Sequence, residues 1–145
     1  MDKNRINWSY LAGFLDGDGS IYVQLKPNET YKFHYQISCT VAFFQSVKTR
    51  KTLERLQKKF KFGYLRFRKD GIVEWIVGDE AGIKELLKNV SPFLEFKQEQ
   101  AKLMILILEK KSKVENKKDF INLVKLIEKF RYLNYSKTRK FRKIY

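Results

Sequence analysis

The chain has 145 residues, 31 Lys and Arg against 16 Asp and Glu, a formal charge of +15, and 43% hydrophobic residues including 12 Phe and 8 Tyr. That length and apolar content fit one domain, residues 1–145, with a sizeable core, and exclude a disordered basic tail. A fold does not need such a charge excess, which costs self-repulsion, so the excess points to a polyanionic partner rather than to a merely solubilising surface.

In chain order, Asn7 to Gly17 reads as a helix with Trp8, Leu11, Phe14 and Leu15 as its apolar stripe. A strand follows from Ser20 to about Lys26, where Ile21, Val23 and Leu25 alternate with Tyr22, Gln24 and Lys26. Pro27-Asn28-Glu29-Thr30 is a turn, and a second strand runs from about Phe33 to Phe43, polar at Gln36, Ser38 and Thr40. Val47 to Phe60 is a basic amphipathic helix with Val47, Leu53, Leu56 and Phe60 inward. Gly63–Arg68 and Ile72–Val77 form a hairpin through Lys69-Asp70-Gly71. Asp79 caps a helix to about Val90, Ser91-Pro92 interrupts, Phe96 to about Glu109 is helical, and a polar joint leads to a last helix from Asp119 to Tyr132. The order α-β-β-α-β-β-α, with further C-terminal helices, predicts an α+β fold: one four-stranded antiparallel sheet with helices on one face.

Composition narrows the chemistry. Cys39 and His34 are each the sole residue of their type, which excludes an intramolecular disulfide, a zinc finger and Cys–His nucleophilic catalysis. The apolar run Leu103–Leu108 is only six residues, against the roughly 18 that a membrane span needs. Met1–Arg5 leads into no signal-peptide core, so the expectation is no membrane and a reducing intracellular compartment, either a prokaryotic cytoplasm or an organelle. An enzyme built from this chain must rely on carboxylates and a metal.

Those carboxylates stand in Leu11-Ala12-Gly13-Phe14-Leu15-Asp16-Gly17-Asp18-Gly19. Gly13 and Gly17 share one helix face, where another helix could approach almost to backbone contact. Two blander readings compete. The first is an ordinary helix end with Gly17 and Gly19 as stop residues. The second is a calcium loop from Asp16, but that loop needs Gly at its sixth position and Glu at its twelfth, where this chain has Ile21 and Pro27.

The nonapeptide closely resembles the signature of the LAGLIDADG homing endonucleases. The likeness continues through Lys26-Pro27-Asn28 and Tyr31-Lys32-Phe33, then Gly63-Tyr64 with Arg66 and Arg68. It goes on at Pro92-Phe93-Leu94 with Lys97-Gln98 and Gln100-Ala101, and at Leu133-Asn134 with Ser136-Lys137-Thr138-Arg139-Lys140. These blocks are similar to the single-motif, group I intron-encoded enzymes. The signature occurs once here, and one-copy relatives act as homodimers, so the resemblance implies a homodimer meeting through Leu11, Ala12, Gly13, Asp16 and Gly17.

The resemblance implies a site-specific double-strand DNA endonuclease acting on a long pseudo-palindromic site. It would use Mg²⁺, with Mn²⁺ substituting and Ca²⁺ binding without cleavage, and leave 3′ overhangs. Asp18 matches the metal-binding acid, with the Gly17 carbonyl beside it, while Asp16 caps or packs at the helix end. Gln45 matches a residue that orders the attacking water, and Lys97 a cation near the scissile phosphate. Where relatives carry a further Arg this chain has Thr49, flanked by Lys48 and Arg50.

Duplex DNA would lie on the sheet, which relatives shape as a saddle. A two-stranded ribbon fits the major groove, and alternate side chains reach base edges. Tyr22, Gln24, Lys26, Asn28, Tyr31, Lys32, His34, Gln36, Ser38, Arg66, Arg68 and Glu74 are the expected contacts, on two hairpins with almost no acids. The basic tail from about residue 133, with Ser136, Lys137, Thr138, Arg139 and Lys140, matches a phosphate-clamping segment. The alternatives are a maturase that binds intron RNA and a catalytically silent DNA-binding protein.

Overall fold

The computed structural model describes residues 7–134. Asn7 opens the first helix, α1 (Trp8–Asp18), by accepting the Tyr10 backbone N–H at its side-chain oxygen, which satisfies one of the unpaired donors of the first turn. Gly19 ends the helix in extended backbone, returns its N–H to the Leu15 carbonyl, and passes directly into β1 (Gly19–Pro27). No loop separates helix from strand, so the acidic end of α1 is fixed at the sheet margin.

The remaining elements are β2 (Tyr35–Ser46), a one-turn 3₁₀ segment (Val47–Thr49), α2 (Arg50–Phe60), β3 (Tyr64–Phe67), β4 (Ile72–Val77) and α3 (Glu80–Val90). A second 3₁₀ turn (Ser91–Phe93), α4 (Gln98–Lys111) and α5 (Lys117–Leu133) complete the described chain. The four strands form one antiparallel sheet in the order β1-β2-β4-β3. This is the expected α+β architecture, with three local differences. Strand β2 begins later and runs to Ser46, helix α4 begins at Gln98 rather than Phe96, and the second helix opens with a 3₁₀ turn that leaves Val47 38% exposed instead of inward.

Alternation along the strands divides the sheet into two chemistries. Ile21, Ile37, Cys39, Val41, Phe43, Val73, Trp75 and Val77 point to the helical layer and are buried. Trp75 anchors that layer. Its ring stacks on Phe43 and Phe62 with centroids 4.8 and 5.5 Å away, and its indole N–H donates to the Phe62 carbonyl at 2.9 Å. Phe60 and Phe62 in turn hold Trp8 of α1, so the aromatic cluster joins the signature helix to the sheet. Burial pushes the Cys39 thiol up to about 11, against a smaller lowering by the Lys111 ammonium, so the thiol stays protonated in the core. Among the described residues no helix is long and apolar enough to cross a membrane.

Gly63, at the entry to β3, adopts φ +73, and a Cβ there would stand 2.5 Å from the Ile76 carbonyl oxygen. Gly71 in the β3–β4 turn also has positive φ (+83) but has open space around it. Gly71→Ala should therefore cost about 1–2 kcal/mol, the backbone penalty alone. Gly63→Ala should cost clearly more, because the carbonyl must also move. Urea unfolding of both variants measures the difference, and equal losses would contradict the close approach at Gly63.

Candidate active site and nucleic-acid face

Helix α1 is apolar and buried on one side and bare on the other. Leu11, Ala12 and Leu15 have 0% exposure, packed against the sheet and its neighbouring helices. On the opposite side Tyr10 is 52% exposed, and a Cβ built at Gly13 or Gly17 would meet nothing within 4 Å. Leu11 and Ala12, expected between chains, are thus corrected to core residues, since a side chain with no surface cannot touch a partner. Tyr10, which the sequence reading did not single out, shares the open face instead.

The two acids of the motif do different work. The Asp16 carboxylate accepts the backbone N–H groups of Glu95, Phe96 and Lys97 at 2.8, 3.3 and 3.0 Å, and the Lys97 ammonium donates back to the Asp16 carbonyl at 2.7 Å. These residues precede α4, whose N-cap, Lys97, makes no side-chain capping bond of its own. Asp16 does not cap the first turn of α4 itself but binds the three N–H groups leading into it, and so ties the end of α1 to the segment before α4. The carboxylate is thus committed to contacts within its own chain, as the expected cap or packing residue at the helix end.

Asp18 is the last residue of α1 and is exposed. The Gln45 amide, near the end of β2, donates to its Oδ2 at 2.9 Å. Thr49 reaches the other end of that amide at 3.4 Å and the Ser46 carbonyl at 3.1 Å. A cleft of about 500 Å³ opens between α1 and α2, with Gly13 and Phe14 on one wall, Thr49 and Thr52 on the other, and Asp18 with Gln45 at its end. Thr49 lines it, and Lys48 and Arg50 do not. Among the described residues no group of three or more His, Cys, Asp or Glu could hold a metal. One chain therefore presents one free carboxylate at this place. That suits a divalent cation whose shell can be completed by water and phosphate oxygens.

The sheet face away from the helices is built by register. Tyr22 stands opposite Thr40, Gln24 opposite Ser38 and Lys26 opposite Gln36, so these polar side chains share one surface. Glu74 stands opposite Phe44 on one side and Arg66 on the other. Its carboxylate lies 3.9 Å from Arg66 and 3.3 Å from Arg68, and Arg68 also meets Asp70. The second hairpin is thus less acid-free in effect than its composition suggests, because Glu74 and Asp70 are placed where they hold the two arginines.

The β1–β2 connection differs from expectation. Asn28 is a turn residue whose side chain accepts from the Thr30 N–H and hydroxyl, and His34 pairs with Glu29 at 3.2 Å. Lys32 donates to the Glu115 carbonyl ahead of α5, and Tyr31 and Lys32 line a small cavity of about 140 Å³ with Phe120 and Leu123. Both residues are exposed in the connection and reach toward the segment around α5. Ser136, Lys137, Thr138, Arg139 and Lys140 lie outside the described residues.

Asp16→Ala should leave the three N–H groups before α4 without their acceptor and cost about 1–2 kcal/mol, comparable to losing a helix cap. Hydrogen exchange should then quicken selectively at Glu95, Phe96 and Lys97. Unchanged exchange there would contradict the tie.

A family model described as LAGLIDADG endonuclease matches residues 11–102. The chain is 38% identical over 132 residues to DNA endonuclease I-CreI of Chlamydomonas reinhardtii, covering 90% of this chain and 80% of that protein. It is 30% identical over 136 residues to DNA endonuclease I-CvuI of Chlorella vulgaris, covering 94% and 84%. A crystal structure of I-CvuI in complex with the I-CreI target in the presence of Mg superposes with a TM-score of 0.88 at 30% identity, over 95% of this chain and 88% of that one. A second I-CvuI complex, with its own target in the presence of Ca, gives 0.86 at 30% identity, over 92% and 85%. Through the signature helix, the sheet and these matches over nearly its whole length, the chain belongs to the LAGLIDADG endonuclease family.

Proposed function

We propose that this protein is a site-specific, double-strand DNA endonuclease that works as a homodimer with Mg²⁺ and leaves 3′ overhangs. The observation that carries the proposal is the exposed Asp18 carboxylate at the end of a helix whose outer face is bare at Gly13 and Gly17. A face without side chains allows two copies of α1 to meet closely, and each copy brings one carboxylate. Pairing supplies the second acid that a single chain lacks.

Asp18 and the Gly17 carbonyl would hold the metal, which when bound would activate water and neutralise charge on the scissile phosphate. Gln45 donates to Asp18 through its amide nitrogen, and its amide oxygen, which accepts from the Thr49 hydroxyl at 3.4 Å, has a second lone pair with which to orient a water. The Lys97 ammonium uses one of its three protons on the Asp16 carbonyl and so is fixed beside the motif, where its charge favours the developing oxyanion. Asp16 takes no part in the chemistry and holds Lys97 and the α4 terminus in place.

The sheet does the reading. Tyr22, Gln24, Lys26, Gln36 and Ser38 present donors and acceptors from one ribbon, and Arg66 and Arg68 present guanidinium groups from the other. Arg pairs bidentately with guanine and Gln with adenine, so this surface can discriminate bases as well as grip phosphates.

The test is incubation with Mg²⁺ and a randomised duplex library, followed by sequencing of cut ends. Recurrent cleavage at one sequence family is expected, and its absence would overturn the endonuclease reading. With the selected duplex, Asp18→Asn should lower the single-turnover cleavage rate by more than about a hundredfold while DNA affinity persists. That exceeds the roughly 10–100-fold expected for Gln45→Ala, which removes only a support of the metal ligand. Normal cleavage by Asp18→Asn would remove that residue from its role.

A further inference from the structure

Helix α2 carries a charge pattern that the cleavage site does not use. From Lys48 to Lys61 the chain holds seven Lys and Arg against a single acid, Glu54. Leu53 and Leu56 are buried and Phe60 is half-buried against Trp8 and Trp75, so the helix packs that side onto the sheet's apolar face. Lys51, Arg55 and Lys58, at i, i+4 and i+7, fall on the opposite side, and all three are exposed. None of the three forms an ion pair with a described residue, whereas on α3 Lys84 is paired with Glu80 one turn away. Like charges in adjacent turns weaken a helix, so this stripe is unfavourable to α2 by itself.

The stripe is also out of reach of DNA on the sheet. With its side chains a helix is about 10 Å across, more than the Debye length of about 8 Å at physiological salt, and the stripe stands on the far side of that helix. Phosphates lying on the sheet cannot neutralise it. Seven residues of helix span about 10 Å, over which one strand of a duplex presents about three phosphates along its axis. Three flexible cations at that spacing match a phosphate backbone, and nothing about them reads bases.

We propose that the outer face of α2 is a second, sequence-indifferent surface for duplex DNA, which grips another DNA segment while the sheet holds the first. This rests on the reading of the sheet as the DNA-binding face. A protein with two such surfaces passes directly between segments, so its release from one duplex quickens as another is added.

The experiment loads full-length protein, with Ca²⁺, onto the selected target carrying a fluorophore and chases it with unlabelled random-sequence duplex in stopped flow. For the unmodified protein the release rate should rise in proportion to chase concentration. For Lys51→Gln/Arg55→Gln/Lys58→Gln it should be independent of concentration, with target cleavage in Mg²⁺ unchanged within about twofold. Gln keeps helix propensity, and Lys84→Gln/Lys88→Gln on α3 serves as the control that removes two charges elsewhere. A release rate independent of chase in the unmodified protein, or unchanged by the triple variant, would overturn the proposal while leaving the endonuclease reading intact. Acceleration by single-stranded RNA but not by duplex DNA would overturn the assignment to DNA. Failure of the unmodified protein to bind the duplex at all would instead overturn the reading of the sheet, and this inference with it.

Discussion

The two-sidedness of α1 is the constraint on which the rest of the structure depends. Leu11, Ala12 and Leu15 are fully buried and fix the helix to the sheet, while Gly13 and Gly17 leave its other side without side chains. Because Gly19 carries the chain straight from helix to strand, the acids at the helix end cannot drift from the sheet margin. The aromatic cluster around Trp75 reinforces this from behind through Phe60, Phe62 and Trp8. A core residue, a bare face and an acid thus follow one another within a single motif, each oriented by helical period alone.

Electrostatics follow a similar division. A charge of +15 would spread as self-repulsion, but the fold separates it into regions. On the sheet, Glu74 and Asp70 hold Arg66 and Arg68, which limits their rotamers and prepares fixed donors at the entropic expense of the free protein rather than at the moment of binding. On α2, by contrast, Lys51, Arg55 and Lys58 form no ion pair with a described residue and remain adaptable charges. The first arrangement suits base reading and the second suits backbone attraction.

Much of this was legible in the sequence because it rests on local rules. Period two exposed β1 and β2, Lys69-Asp70-Gly71 marked the second hairpin, and Asp79 marked the start of α3, where its carboxylate accepts the Gly82 N–H. Other features were hidden because they are tertiary. Leu11 and Ala12 belong to the conspicuous motif, yet which face of a helix is buried depends on what packs against it. The role of Asp16 is formed with residues about 80 positions away. The turn of Tyr31 and Lys32 toward α5 left no periodic trace, since loops carry none.

The central claim is that the bare face of α1 exists for a second copy, and Gly13→Leu tests it most directly. Within one chain a Cβ at this position meets nothing within 4 Å, the site is open, and leucine favours helix over glycine, so the chain itself should fold normally. Sedimentation equilibrium, with circular dichroism as a check on folding, separates the outcomes. The prediction is a dimer for the unmodified protein and a folded monomer for Gly13→Leu. A folded Gly13→Leu protein that remains as dimeric as the unmodified one would contradict the claim.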